Sequence, residues 1–553
     1  MISSRRAAVH AFLSLSLLVF VSCAAAHRSP RIQPAADRPA LVVVIAVDQL
    51  GEDLLEHYDA LFTGGFRRLR DHGMSYSEAW VDHAITVSHP GHVTLATGAA
   101  PSRHGIVDAA FYEGPPGARR FVDALTDANE SIVGAPDQHG VSPRKILVST
   151  LSEWIEAADP KARTVSLGSG QYSSLLHAGH AKGDVYWYSG DAGRYVTSTF
   201  YRHDEAAWVA RFNRERLPRF KEEAQDWEST VPEAARALAR PDASPYETRG
   251  RHATFPHRFK DEVPPERQNA EGISWRLAGT PMLDAATLEL AQDAVRELAL
   301  GQRGSTDALS IVVSEVDDIG HGYGPRSQEQ LDNLLRLDRE LGAFLAFLDR
   351  TVGAGRYTVA LSADHATPDI PEHRREAGEP GRRVLQAEID AVLAAVRTAE
   401  AQASGSPDEK AARVAAVVKK SDFVADVMTP ADLAGTGRAA DLFLTLYRNS
   451  WRPDRVPRFP LFSFDDGTSP IAEAGVMVRL AEGAVIDLDS VVHGSPYDYD
   501  RHVPLVFFGA GVAPGRSAEK VRTTDLAPTL AKLAGIAPPA ALDGRALLSP
   551  KRP

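Results

Sequence analysis

Four unbroken apolar runs set the strongest constraint on what this chain can fold into. They occupy residues 41–47 (LVVVIAV), 309–313, 357–361 and 503–508. A strand with one wet face alternates apolar and polar residues, so a run without alternation needs cover on both faces. A parallel sheet sandwiched between helices provides that cover. Helical periodicity lies between and after the runs, over 285–300, 328–352 and 524–533, with Asp525 in the first turn of the last. The expected class is α/β, with a mostly parallel central sheet flanked by helices.

Two stretches break the alternation. Residues 111–280 are rich in aromatics, Gly and Pro, with strand-like pieces at 184–188 and 195–200, and read as a cap insertion over the sheet. Residues 371–470 are mixed, helical over 384–400 and polar over 401–412, and read as a second insertion. The core is then 40–110 together with 281–545. At the N-terminus, Arg5 and Arg6 precede an apolar stretch over 11–21 that is too short to span a bilayer. Residues 1–26 are therefore expected to be a signal peptide or lipoprotein signal, and 27–39 a polar linker. Cleavage at Ala24-Ala25-Ala26 and lipidation of Cys23 in Phe20-Val21-Ser22-Cys23 are the two processing routes. The expected location is the bacterial periplasm, or the outer membrane with Cys23 as lipid anchor.

Cys23 is the single cysteine, so the mature body has neither an intrachain disulfide nor a thiolate metal ligand. The 61 Lys+Arg against 73 Asp+Glu give a net charge of −12. That balance argues against binding a nucleic-acid backbone. It leaves room for a small anionic substrate, because a local metal site overrules the global field.

Chemistry-bearing residues fall at the ends of the apolar runs. Asp48 follows the first. Asp317-Asp318-Ile319-Gly320-His321 follows the second, with Gly320 expected to let the chain turn so that Asp317 and His321 face one metal. Asp364 and His365 follow the third and reach one site only if the strand ends in a turn there. His493-Gly494-Ser495-Pro496 adds a histidine before a turn. Strand carboxyl ends are where open α/β sheets bind ligands, and His with Asp but no Cys suits a catalytic zinc site. Ser88, in Thr86-Val87-Ser88-His89-Pro90-Gly91-His92, sits at or beside a helix N-cap. There the helix dipole and a coordinated metal would favour an alkoxide nucleophile. Taken singly, Asp48 also reads as a turn former, Ser88 as a simple cap and His493 as a loop histidine. Glu315, Asp318, His89 and His92 read as supporting residues.

The set, in this order, resembles the alkaline phosphatase superfamily, in its branch of nucleotide pyrophosphatase/phosphodiesterases and phosphate-irrepressible bacterial alkaline phosphatases. The motifs that carry the resemblance are Val47-Asp48-Gln49, Ser88-His89-Pro90-Gly91-His92, His104-Gly105-Ile106, Asp317 to His321, Ala363-Asp364-His365 and His493 to Asp500. They cover most of residues 40–545. The resemblance implies a two-zinc hydrolase of phosphate esters, with another divalent metal as an alternative. One ion would be held by Asp317, His321 and His493, and the other by Asp48, Asp364 and His365 with the Ser88 oxygen. A covalent phosphoserine would form on Ser88.

The chain departs from that pattern at the phosphate shell. Relatives carry Thr where Ser88 stands, an Asn where Ala109 stands, and a Lys and an Arg where Gly168 and Gly170 stand. Losing charge-assisted bonds of roughly 1.5–3 kcal/mol each should hurt a dianionic monoester most. Both glycines are also expected to open space for a second ester substituent. The expectation leans to phosphodiesters, with Ser169, Gln171 and Tyr172 as substrate-binding candidates. The alternatives are a phosphomonoesterase with an altered shell and a non-catalytic binding protein on the same scaffold. A formylglycine sulfatase is disfavoured because His92 stands where its maturation motif needs Arg.

Overall fold

The computed structural model describes residues 38–170, 173–402, 404–458, 469–487 and 489–548. The expected export signal, Cys23, Gln171 and Tyr172 lie outside these residues. An eleven-stranded sheet organises them. In chain order its strands are β1 (Leu41–Val47), β2 (Met74–Trp80), β3 (Thr126–Val133), β4 (His139–Val141), β5 (Thr164–Gly168), β6 (Asp184–Ser189), β7 (Arg194–Ser198), β8 (Asp307–Val313), β9 (Tyr357–Ser362), β10 (Leu505–Gly509) and β11 (Gly515–Arg522). Across the sheet they run β11-β2-β10-β9-β1-β8-β5-β6-β7-β3-β4. The helices needed below are α1 (Ser88–Thr97), α2 (Ser173–Ala178), α3 (Ala270–Leu277), α4 (Pro281–Glu297), α5 (Glu315–Tyr323), α6 (Gln328–Leu348), α7 (Gln386–Ala401), α8 (Pro407–Val418) and α9 (Leu526–Leu533).

The middle of the sheet is parallel. β1 pairs in parallel with β8 and β9, β8 with β5, and β5 with β6. All seven residues of β1 are buried. Leu41, Val43, Ile45 and Val47 join an apolar cluster with Leu283 and Leu290 of α4 and Leu334 and Leu341 of α6. Val42, Val44 and Ala46 join another with Leu526 and Leu530 of α9. Both faces are covered, which is why the run shows no alternation. The run at 503–508 instead becomes β10, which is antiparallel to β9 and β2. An apolar run reports burial on both faces and says nothing of direction.

The segment expected to cap the sheet also contributes five strands to it, because β3 to β7 all come from 111–280. The aromatics of its strands β6 and β7 are buried, namely Tyr186, Trp187, Tyr188 and Tyr195. The second interrupting segment has an apolar cluster of its own. In it Val392 and Val396 of α7 meet Val414 and Val418 of α8. No described helix is long and apolar enough to cross a membrane.

Helix α1 packs against the loop that follows β9. At Gly91 an added Cβ would lie 2.5 Å from the Asp364 carbonyl oxygen, so only glycine allows this approach of backbone to backbone. Gly91→Ala is expected to force the two apart and destabilise the fold by about 1–3 kcal/mol, seen as a lower urea midpoint. An unchanged midpoint would show that the contact is loose.

Candidate active site

The carboxyl ends of β1, β8 and β9 converge, and each contributes acids. Asp48 directly follows β1. The next residue, Gln49, has φ +65°, a left-handed backbone that non-glycine residues adopt at a cost and mostly where function demands it. Its amide donates to Asp364 Oδ1 at 3.2 Å, and its side-chain Nε2 donates to Asp317 Oδ1. Gln49 thus ties two of the acids together. Its place in the Val47-Asp48-Gln49 motif was the only signal for it in the sequence.

Asp317 and His321 lie on one face of α5 at i and i+4 spacing, with Asp317 Oδ1 3.3 Å from His321 Nε2. The turn expected at Gly320 does not exist, because the residue is helical. Its glycine serves another purpose: an added Cβ would fall 2.1 Å from Gln49 Oε1. Asp364 and His365 do reach one site together, since β9 ends at Ser362 and the chain leaves the strand before them. Ser88 is the first residue of α1, one place beyond the N-cap Val87.

All the expected ligands gather in one cluster. His493 Nε2 lies 3.4 Å from Asp317 Oδ1. His365 Nε2 lies 3.4 Å from Asp48 Oδ1, 3.2 Å from Asp364 Oδ2 and 3.3 Å from Ser88 Oγ. The rings of His365 and His493 stack at 3.8 Å between centroids, so the two halves touch. His92, read from sequence as a supporting residue, reaches further in than expected. Its Nε2 lies 3.3 Å from Asp48 Oδ2 and 3.5 Å from Asp364 Oδ2, and its Nδ1 3.3 Å from His177 Nε2.

The histidine tautomers follow from backbone contacts. Nδ1 of His321 faces Val491 O at 2.8 Å, Nδ1 of His365 faces Ala366 O at 3.1 Å, and Nδ1 of His493 faces Thr86 O at 2.8 Å. A carbonyl only accepts, so each Nδ1 carries the proton and each Nε2 turns a lone pair to the acids. Backbone carbonyls orient metal-ligating imidazoles in this way.

The acids are crowded out of water. Burial, then Asp48 and Asp317, pushes the Asp364 carboxyl well above its ordinary range. Burial, then Asp317, lifts Asp318 to about 7. Asp48 Oδ1 and Asp364 Oδ2 are buried with no hydrogen-bond partner. Orphaned carboxylate oxygens facing imidazole lone pairs fit divalent cations that take N and O ligands. Asp317, His365 and His493 form one compact trio and Asp48, His92 and Asp364 another.

A cleft of about 260 Å³ opens on the cluster, and Asp48, Ser88, Gly170, Ser314 and Asp317 are among the residues that line it. The glycines at 168 and 170 do not leave the space expected of them. An added Cβ would lie 2.6 Å from Ser173 Oγ at position 168 and 2.4 Å from Ser314 Oγ at position 170. Two small hydroxyl side chains fill the room instead. Ser169 also lines the cleft, but its hydroxyl is engaged within the protein. It donates to Asp284 Oδ1 at 2.8 Å and accepts from the Ser314 amide at 2.7 Å.

The model of the type I phosphodiesterase / nucleotide pyrophosphatase family matches residues 42–457. The alkaline phosphatase PhoV of Synechococcus elongatus is 29% identical over 97% of this chain and 98% of that protein. The alkaline phosphatase PafA of Elizabethkingia meningoseptica is 27% identical over 92% of this chain and 94% of its own. The solved structure of wild-type PafA has a TM-score of 0.81 at 25% identity, covering 92% of this chain and 98% of that one. A solved PafA variant, with serine for one threonine and alanine for an asparagine, a lysine and an arginine, also scores 0.81 at 26% identity over the same shares.

A cation at this cluster would relieve the repulsion among its acids. Chelation is therefore expected to lower the thermal midpoint of the protein. A metal present at a thousand times its Kd adds about 4 kcal/mol of stability. Asp364→Asn is expected to shrink the difference between metal-loaded and chelated protein in differential scanning fluorimetry. A midpoint insensitive to chelator would show that the acids tolerate one another unaided.

Proposed function

We propose that this chain, which belongs to the type I phosphodiesterase / nucleotide pyrophosphatase family, hydrolyses phosphate esters with Ser88 as nucleophile and two zinc ions as cofactors. The observation that carries this reading is Ser88 Oγ at the head of α1, 3.3 Å from His365 Nε2 and facing the cleft. Asp317, His321 and His493 would hold one ion, and Asp48, Asp364 and His365 the other. Bound there, the ions would supply positive charge to offset negative charge on the phosphoryl group.

The chain's own residues do the rest. Free amides in the first turn of α1 and the helix dipole favour negative charge on the Ser88 oxygen. That oxygen bonds to phosphorus as the bond from phosphorus to the departing alcohol breaks, leaving a phosphoserine. Water then replaces the serine oxygen, freeing the phosphate product and restoring Ser88. Gln49 holds Asp317 and Asp364 in place throughout.

Phosphodiesters are the preferred class in this reading. Ala109, Gly168 and Gly170 present no cationic or amide side chain to outer phosphoryl oxygens, and the hydroxyls of Ser173 and Ser314 offer only neutral groups. A monoanionic diester needs the missing cations less than a dianionic monoester does. The residue types changed in the PafA variant are those at which this chain departs from the family pattern, at Ser88, Ala109, Gly168 and Gly170. The unchanged TM-score of that variant supports a scaffold that tolerates their loss. The second reading, a phosphomonoesterase, is favoured by the names of the relatives, which are alkaline phosphatases along nearly their whole length.

The zinc-loaded protein is expected to show a higher kcat/KM on bis-p-nitrophenyl phosphate than on p-nitrophenyl phosphate. Ser88→Ala should lower both by at least about a hundredfold. A monoester preference would favour the second reading. Activity that survives Ser88→Ala would remove the serine from the chemistry.

A further inference from the structure

We propose that Trp275 is the surface against which a flat aromatic group of the ester packs, making this residue a determinant of substrate class. The proposal rests on the phosphate-ester reading of the same cleft. The cleft lined by Asp48, Ser88 and Asp317 is also lined by Tyr188, Gly190, Trp275 and Ala278. Trp275 is 48% exposed. Of the large apolar side chains left exposed among the described residues, it is the one that lines this cleft. An exposed aromatic face lining a polar cleft is open to contact with the ligand that the cleft receives.

Its neighbours explain why the indole stays put. Tyr188 donates to Ser274 O at 2.9 Å, and Lys221 Nζ donates to Ser274 Oγ at 3.0 Å. Arg276 donates to Ala224 O at 3.0 Å and to Glu262 at 2.9 Å. Beyond the helix, the Gly279 amide donates at 2.7 Å to Glu315, which opens α5 and stands two residues before Asp317. Helix α3 is therefore clamped on both sides of Trp275 and tied to the turn that carries a predicted metal ligand. The indole itself rests on Gly190, where an added Cβ would come within 2.7–2.9 Å of three ring atoms. A side chain already fixed in place loses little conformational entropy when a ligand covers it. A flat partner is the shape that covers most of a fixed indole, through offset stacking.

The test compares kcat/KM of the zinc-loaded full chain on methyl, phenyl and thymidine-5′ esters of p-nitrophenyl phosphate, in wild type, Trp275→Ala and Trp275→Phe. Stacking on one ring is worth about tenfold or more. The wild type is expected to prefer the phenyl or thymidine ester to the methyl ester by that factor. Trp275→Ala should collapse the ratio and Trp275→Phe should largely keep it. A collapse confined to the phenyl ester assigns aryl esters, and one confined to the thymidine ester assigns nucleotide esters. A phenyl-to-methyl and thymidine-to-methyl ratio unchanged in Trp275→Ala overturns the proposal while leaving the hydrolase reading intact. Calorimetry with phenylphosphonate and methylphosphonate separates the two further. If no ester is cleaved, the hydrolase reading fails. Weaker phenylphosphonate binding in Trp275→Ala then still upholds the aromatic surface, and equal binding in both proteins rejects it.

Discussion

Three aspartates held together out of water are the constraint on which the rest of this architecture depends. Asp48, Asp317 and Asp364 come from the ends of neighbouring strands, and the sheet can bring them together only if something offsets their mutual repulsion. Imidazole nitrogens surround them, and in His321, His365 and His493 a carbonyl holds Nδ1 so that Nε2 faces the acids. Gln49 adds donors to two of the acids from a backbone conformation that ordinary residues avoid. The covered parallel strands give these groups a stiff frame, and the glycine at 91 lets the helix headed by Ser88 pack closely against it.

Much of this was legible in the chain itself. Asp48, Asp317 and Asp364 could be placed because buried parallel strands announce themselves as unbroken apolar runs, and such sheets bind ligands at the strands' carboxyl ends. What periodicity cannot carry is direction or partner. The run at 503–508 was visible as a strand but not as an antiparallel one. The aromatic pieces at 184–188 and 195–200 were visible as strands but not as members of the main sheet, because they are short and set among turns. Glycines misled for a related reason. At Gly320 and at Gly168 and Gly170 the absence of a side chain answers to a neighbour distant in sequence, Gln49, Ser173 or Ser314. No local pattern reports such a neighbour. The part that Gln49 plays, and the reach of His92 to two acids, were hidden in the same way.

Two kinds of lining meet in the cleft. Among the acids and histidines, fixed charge and oriented imidazoles dominate. Small neutral side chains stand where the family pattern has cations, and an exposed indole lines the same cleft. Such a site draws less of its discrimination from counting charges and more from the shape of what the phosphorus carries.

The hydrogen bond between His493 and Thr86 joins residues 407 positions apart, and those from Gln49 to Asp317 and Asp364 span 268 and 315. Contacts of such range form only after long loops have closed, and topologies rich in them fold slowly. The centre is therefore among the last features to mature as the chain leaves the ribosome. A nascent or truncated polypeptide that lacks residues near 493 would hold Ser88 and all three aspartates yet lack His493 and have no finished pocket. Its reactivity would switch on with completion of the whole molecule rather than grow with length.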